Sequence, residues 1–186
     1  MEKKPVTGII KGILFQIREN LGSVPRELLR CGMATISKAD RKLLNKENVV
    51  IGKYSIFIRE LLKPKAVSMR MILFSTFEQS SASVHDFLPS RVSIEVLQNV
   101  PNRYYESVGY FVVGKIAIRV DIFEKLSAKI WKLRKNEWFL IDHELLSMLG
   151  CKLHEMRVIL KFFGLKHKTS GEQTRFFWRH RKAKNN

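Results

Sequence analysis

The sequence predicts an α+β chain, mostly helical and punctuated by short β-hairpins. Three observations carry that reading. Apolar residues recur at helical spacing in several segments, two β-branched stretches are each broken by a Gly-Lys pair, and serine and proline gather in one central segment.

The first helix is expected near residues 10–21, where Ile10, Leu14, Ile17 and Leu21 share a face, and Gly22 suits its end because glycine accepts a positive φ. A short second helix is expected over 37–44, with Ser37 as cap and Asp40 and Arg41 exposed. Residues 49–58 read as a hairpin turning at Gly52-Lys53, with glycine at the first central position. Lys63-Pro64 then opens a helix, since the first turn needs no N–H from proline. Val67, Phe74 and Phe77 are expected on its apolar face, and it should end near Glu78.

The stretch 79–102 contains Ser80, Ser81, Ser83, Pro89 and Pro101, which reads as a connection with one extended piece at 92–96. The expected organisation is therefore an N-terminal helical and hairpin domain over 1–82, a linker over 83–102, and a second domain over 103–186. In that second domain, 110–113 and 116–120 flank Gly114-Lys115, again a hairpin signature. Val112-Val113-Gly114-Lys115 echoes Val50-Ile51-Gly52-Lys53, and one short echo is weak evidence of duplication. Asp121 and Glu124 resemble a capping box, and Phe123, Leu126, Ile130 and Leu133 set the stripe of the helix that follows.

Asp142 can cap a helix carrying Leu145, Leu146 and Leu149. After Gly150, Leu153, Met156, Ile159, Leu160 and Phe163 are expected to face inward on a second helix that Gly164 closes. Leu145, Leu149, Met156 and Ile159 stand around Gly150 at the spacing of two crossed helices, although Leu146 occupies a place where close approach wants a small residue. Strands at 165–168 and 174–179 would then pair across 169–173. Hairpin, three helices and wing together make the C-terminal half winged-helix-like.

Charge points to the partner. Of 186 residues, 34 are Lys or Arg and 17 are Asp or Glu, a net charge of +17 that attracts polyanions, while 45% hydrophobic content excludes a disordered chain. The excess lies at both ends: 15 basic against 7 acidic residues in 1–82, and 18 against 8 in 103–186. Aromatic rings among the last cations favour nucleic acid, whose bases can stack on them. The candidate contacts are Arg157 and Lys161 on the second crossed helix, then Lys166, Lys168, Arg175, Arg179, Arg181 and Lys182 holding phosphates beside Trp178, which would stack on a base. Strand alternation sets Phe177 opposite to Phe176 and Trp178, so part of this aromatic group belongs to the core. The outward helix residues His154, Glu155, Arg157, Val158 and Lys161 offer few base-reading groups, which favours backbone and single-strand contacts over sequence reading in a duplex.

Motifs for catalysis are missing. The two Gly-Lys pairs lack the earlier glycine and the following Ser or Thr of a phosphate-binding loop, and no HExxH or Cys/His cluster occurs. Cys31 and Cys151 match no metal or redox spacing, and Cys151 after the turn glycine suits packing. No cofactor, metal or catalytic residue is therefore expected, and the chain reads as a binder and not an enzyme. Lys11 interrupts the first apolar run and no stretch reaches 18 apolar residues, so no signal sequence and no membrane partner are expected, and a reducing, cytoplasmic location follows.

Several ordered motifs carry a resemblance. Gly52-Lys53-Tyr54-Ser55-Ile56-Phe57-Ile58, Leu61-Leu62-Lys63-Pro64, Tyr105-Glu106-Ser107-Val108-Gly109-Tyr110, Ile118-Arg119-Val120-Asp121 and Leu146-Ser147-Met148-Leu149-Gly150-Cys151 resemble the C-terminal region of alphaproteobacterial superfamily-two (DExH-type) helicases, which are similar to the mitochondrial RNA degradosome helicase. The helicase core is absent from this chain. The resemblance implies an RNA-binding accessory region that could sit beside a helicase core or a degradation-complex protein. The rival expectations are an assembly domain docking on such a core or on an acidic partner, and an ATP-dependent helicase activity by family membership only.

Overall fold

The computed structural model describes residues 8–29, 36–77, 86–170 and 173–178. Among them, helices alternate with three small antiparallel sheets of three strands each. The elements in order are α1 (Gly8–Glu19), β1 (Ser23–Pro25), α2 (Lys38–Lys46), β2 (Val49–Ile51), β3 (Ser55–Ile58), α3 (Pro64–Phe77), β4 (Ser93–Glu95), α4 (Asn102–Ser107), β5 (Tyr110–Val113), β6 (Ile116–Arg119), α5 (Val120–Leu133), β7 (Phe139–Leu140), α6 (His143–Leu149), α7 (Leu153–Phe162), β8 (Leu165–Ser170) and β9 (Gln173–Trp178), with short 3-10 turns at Arg26–Leu29 and Arg59–Leu62.

One plan recurs. Each sheet is a hairpin whose second strand also pairs with a lone strand earlier in the chain, giving the orders β1-β3-β2, β4-β6-β5 and β7-β9-β8. A helix precedes each lone strand, and at least one more lies between that strand and its hairpin. The Gly-Lys echo thus marks two hairpins in equivalent places of a repeated topology.

Compactness divides the chain at 124/125, inside α5, into units 1–124 and 125–186. The sequence suggested a boundary at 83–102 instead. That stretch loses charge without leaving the fold, because Ile94 of β4 pairs with Ala117 of β6 and is buried.

In the first unit, α1 buries Ile10, Ile13 and Ile17 against Val24, Leu44, Val49 and Ile56. Leu21 lies just past the helix with φ 54°, and Gly22 follows at φ 95°. Ser37 caps α2, but Asp40 is buried and not exposed. Its carboxylate accepts from the Ser37 N–H and hydroxyl, while Ser37 Oγ accepts from the Asp40 N–H, closing a reciprocal capping box. On α3, Val67, Met71 and Phe74 are buried with Tyr104, Tyr105 and Tyr110, whereas Phe77 is 75% exposed and not on the core face.

The two Gly-Lys turns differ. Val113 pairs with Ile116 across Gly114-Lys115, and Gly114 takes φ 61°, as a two-residue turn requires. In the first hairpin, Gly52 N–H donates to the Ser55 carbonyl, so the central pair is Lys53-Tyr54, one residue later than expected. Gly52 is needed for space: a Cβ there would lie 2.3 Å from the Glu124 carboxylate. That carboxylate accepts the N–H groups of Lys53, Tyr54 and Ser55 at 2.8, 2.7 and 2.9 Å. Asp121 pairs with Arg119, so neither acid forms the capping box suggested by their spacing.

In the second unit, Asp142 caps α6 by accepting the Leu145 N–H, Gly150 ends it at φ 59°, and Gly164 follows α7 at φ 84°. Leu145, Leu149, Met156, Ile159 and Leu160 are buried, while Leu153 is 44% exposed, turned outward at the first position of α7. Cys151 is half-buried between the two helices, and burial pushes its thiol up to about 11. In a Cys31→Ser background, iodoacetamide at pH 8 should therefore modify Cys151 about 100-fold more slowly than an ordinary exposed thiol, from the smaller thiolate fraction alone. Alkylation at the free-thiol rate would contradict this burial.

Candidate nucleic-acid interface

The third sheet has two chemically different faces. Cross-strand partners share a face, so the pairs Leu165↔Trp178, His167↔Phe176 and Phe139↔Phe176 define one side, and Lys166↔Phe177, Lys168↔Arg175 and Leu140↔Arg175 define the other. Leu165, Phe139 and Phe176 are buried on the first side. On the second, Lys166, Lys168, Arg175 and Leu140 are exposed and Phe177 is half-buried.

Three cations therefore gather on one exposed surface. Lys168 and Arg175 stand directly opposite each other, a like-charge pair that is unfavourable until an anion lies across it. The Arg175 guanidinium rests 4.4 Å from the ring centre of Trp138, which is 46% exposed just before β7. Glu137, Trp138, Lys168, Arg175, Phe177 and Trp178 line a shallow depression of about 340 Å³ there. Cations beside an open indole face can hold phosphates and stack a base together.

Trp178 is held differently. Its ring meets Trp131 edge-on at 6.1 Å and lies 5.6 Å from the Arg134 guanidinium, which also sits 4.7 Å from the Trp131 ring. Its indole nitrogen is buried without a hydrogen-bond partner among the described residues. Trp178 thus packs, and Trp138 offers the freer ring. Sequence reasoning missed Trp138, whose signal was a tryptophan in the polar run Lys135-Asn136-Glu137 after a helix end.

The helix candidates stand apart from these cations. Arg157 is half-buried on α7 and donates to Thr174 Oγ1, on the same side of the hairpin as the buried Phe176. Lys161 is exposed on α7, in company with exposed Leu153, Val158 and Phe162. The structure brings Lys166, Lys168 and Arg175 together and leaves Arg157 and Lys161 on the helix side. Arg179, Arg181 and Lys182 lie outside the described residues.

Residues 125–186 carry 15 basic and 5 acidic side chains, so this unit holds +10 of the net charge in a third of the length. Among the described residues, no group of His, Cys, Asp and Glu is arranged to hold a metal ion, and no helix is long and apolar enough to cross a membrane. No family model, curated protein or solved structure matches the chain, so the helicase likeness rests on its sequence motifs alone.

Proposed function

We propose that the chain is a non-enzymatic nucleic-acid-binding module that holds single-stranded RNA on the outer face of its third sheet. The observation that carries this is the exposed face shared by Lys166, Lys168 and Arg175, with Arg175 resting on Trp138 and Lys168 lining the same depression. The order helix, strand, two helices and hairpin, with the hairpin's second strand central, also supports reading 120–178 as a winged helix whose wing is β8-β9. The exposed apolar side chains of α7 are poor readers of base edges, which favours strand binding on the wing. The sequence likeness supports a role as an accessory region beside a helicase core supplied by another chain or segment.

Binding of the full chain to a labelled single-stranded RNA should weaken with salt. About five engaged phosphates give a slope near −3.5 in log affinity against log salt. Lys168→Ala with Arg175→Ala should flatten it by about 1.4, and Trp138→Ala should weaken binding about tenfold through lost stacking. Affinity and slope unchanged in both variants would sink the interface.

A second reading has its own observation. Met69, Ile72 and Phe77 on α3 and Leu88 beyond it are all more than half exposed, beside a depression of about 700 Å³ lined in part by Met71, Ile72, Phe87 and Leu88. Such a patch suits a protein partner. Association with a helicase core that survives nuclease and high salt, and is lost on Ile72→Glu, would favour this assembly role.

A further inference from the structure

The three copies of the strand-helix-hairpin plan present very different helices ahead of their hairpins. In the second copy, α4 turns Tyr104 and Tyr105 fully into the core and exposes little beyond Asn102 and Arg103. In the third, α7 exposes Leu153, Val158 and Phe162. The first copy is the exception. Lys38, Arg41, Lys42, Asn45 and Lys46 of α2 are all exposed, and their spacing of i, i+3, i+4, i+7 and i+8 places them in one stripe.

The opposite side of α2 is anchored. Leu44 is fully buried in the core of α1 and the first sheet, and Asp40, the acid within α2, is turned back into the Ser37 cap. Among the described residues no ion pair involves any of the four cations. Lys38 and Lys42, and Lys42 and Lys46, stand four residues apart and repel each other, a strain that a polyanion along the helix relieves.

We propose that α2 is a second nucleic-acid site, a recognition helix that enters the major groove of duplex DNA. Nine residues span about 13 Å along the axis, close to the width of that groove, and the stripe combines cations for phosphates and guanine edges with an Asn that can pair with adenine. The groove of an RNA duplex is too deep and narrow for a helix, so the same geometry selects DNA. This site shares only the repeated plan with the single-strand interface, and it uses other residues in the other unit.

The test uses the full chain with a labelled 24-base-pair DNA duplex of mixed sequence, the matching RNA duplex, and the single-stranded RNA, each over a salt series. The triple variant Arg41→Ala, Lys42→Ala, Lys46→Ala should bind DNA duplex at least tenfold more weakly and lose about 2.7 from the salt slope, with single-strand binding within twofold of the parent. All three side chains are exposed, so its melting temperature should stay unchanged. The parent should bind the RNA duplex at least tenfold more weakly than the DNA. A parent that ignores duplex DNA, a triple variant that binds it normally, or equal affinity for both duplexes would overturn the site. Lys168→Ala with Arg175→Ala should leave duplex binding intact, so a failure confined to single-strand binding falls on the wing alone.

Discussion

Arg70→Ala should cost about 3–5 kcal/mol of stability in the first unit, from the cavity and the lost hydrogen bonds. Arg70 is only 3% exposed on α3. Its guanidinium donates to the Leu61 carbonyl and to Ser23 Oγ, and Ser23 in turn donates to the Glu106 carbonyl, so one side chain ties α3 to β1 and, through a hydroxyl, to α4. No carboxylate pairs with it among the described residues, and burial lowers its pKa to about 10. The group is thus a buried cation held by neutral dipoles, with its Nε unpartnered. Alanine would leave a cavity, take a donor from the Leu61 carbonyl and another from Ser23 Oγ, and leave Ser23 only its bond to the Glu106 carbonyl. Methionine keeps most of the volume and removes the desolvated charge, so Arg70→Met should cost less than half as much. All three tryptophans lie in 125–186, so far-UV circular dichroism in urea, with amide exchange at β1 and β3, is the measurement. Equal losses for Ala and Met would mean that the charge itself holds the strands.

Signals contained within a few residues were legible as local structure. Gly114 announced its turn because a two-residue hairpin needs positive φ there, and Ser37, Asp142, Gly150 and Gly164 marked helix ends through chemistry contained within a few residues. The lone strands were harder. β7 is two residues long, and β1 is three residues ending in Pro25, too short for alternation to register. Without them the three sheets could not be seen to share one order, and the second helix was expected to stop at Leu44, short of the Asn45 and Lys46 that complete the stripe of α2. The candidate site was legible as charge and composition. Its arrangement was not, because strand register decides that Lys166, Lys168 and Arg175 share a face, and a contact with Trp131 decides that Trp178 packs. Long-range partners defeated the remaining readings: Arg70 sits within an apolar helical stretch whose charge is invisible until Ser23 is placed beside it.

Glu124→Ala should destabilise the first hairpin by about 3 kcal/mol. Three N–H groups in succession donate to one carboxylate, each hydrogen bond to a charged acceptor being worth about 1.5–3 kcal/mol net, but the Lys53 N–H is open to water and recovers a partner when the acid is removed. The total therefore falls below the sum. Gly52 supplies an independent check on the geometry. Its φ is not positive, so alanine there carries no left-handed backbone penalty, and the nearest obstacle is the Glu124 side chain, its carboxylate 2.3 Å from the new Cβ. A carboxylate at the end of a flexible side chain usually yields to such a clash, but this one is pinned by three donors. Gly52→Ala alone should cost about 2 kcal/mol, and in the Glu124→Ala background less than about 0.5 kcal/mol, a coupling of the size that neighbouring residues show. Additive losses in this double-mutant cycle would show that Gly52 is required by something other than Glu124, and would return the turn to the one-residue-earlier register that its Gly-Lys sequence suggested.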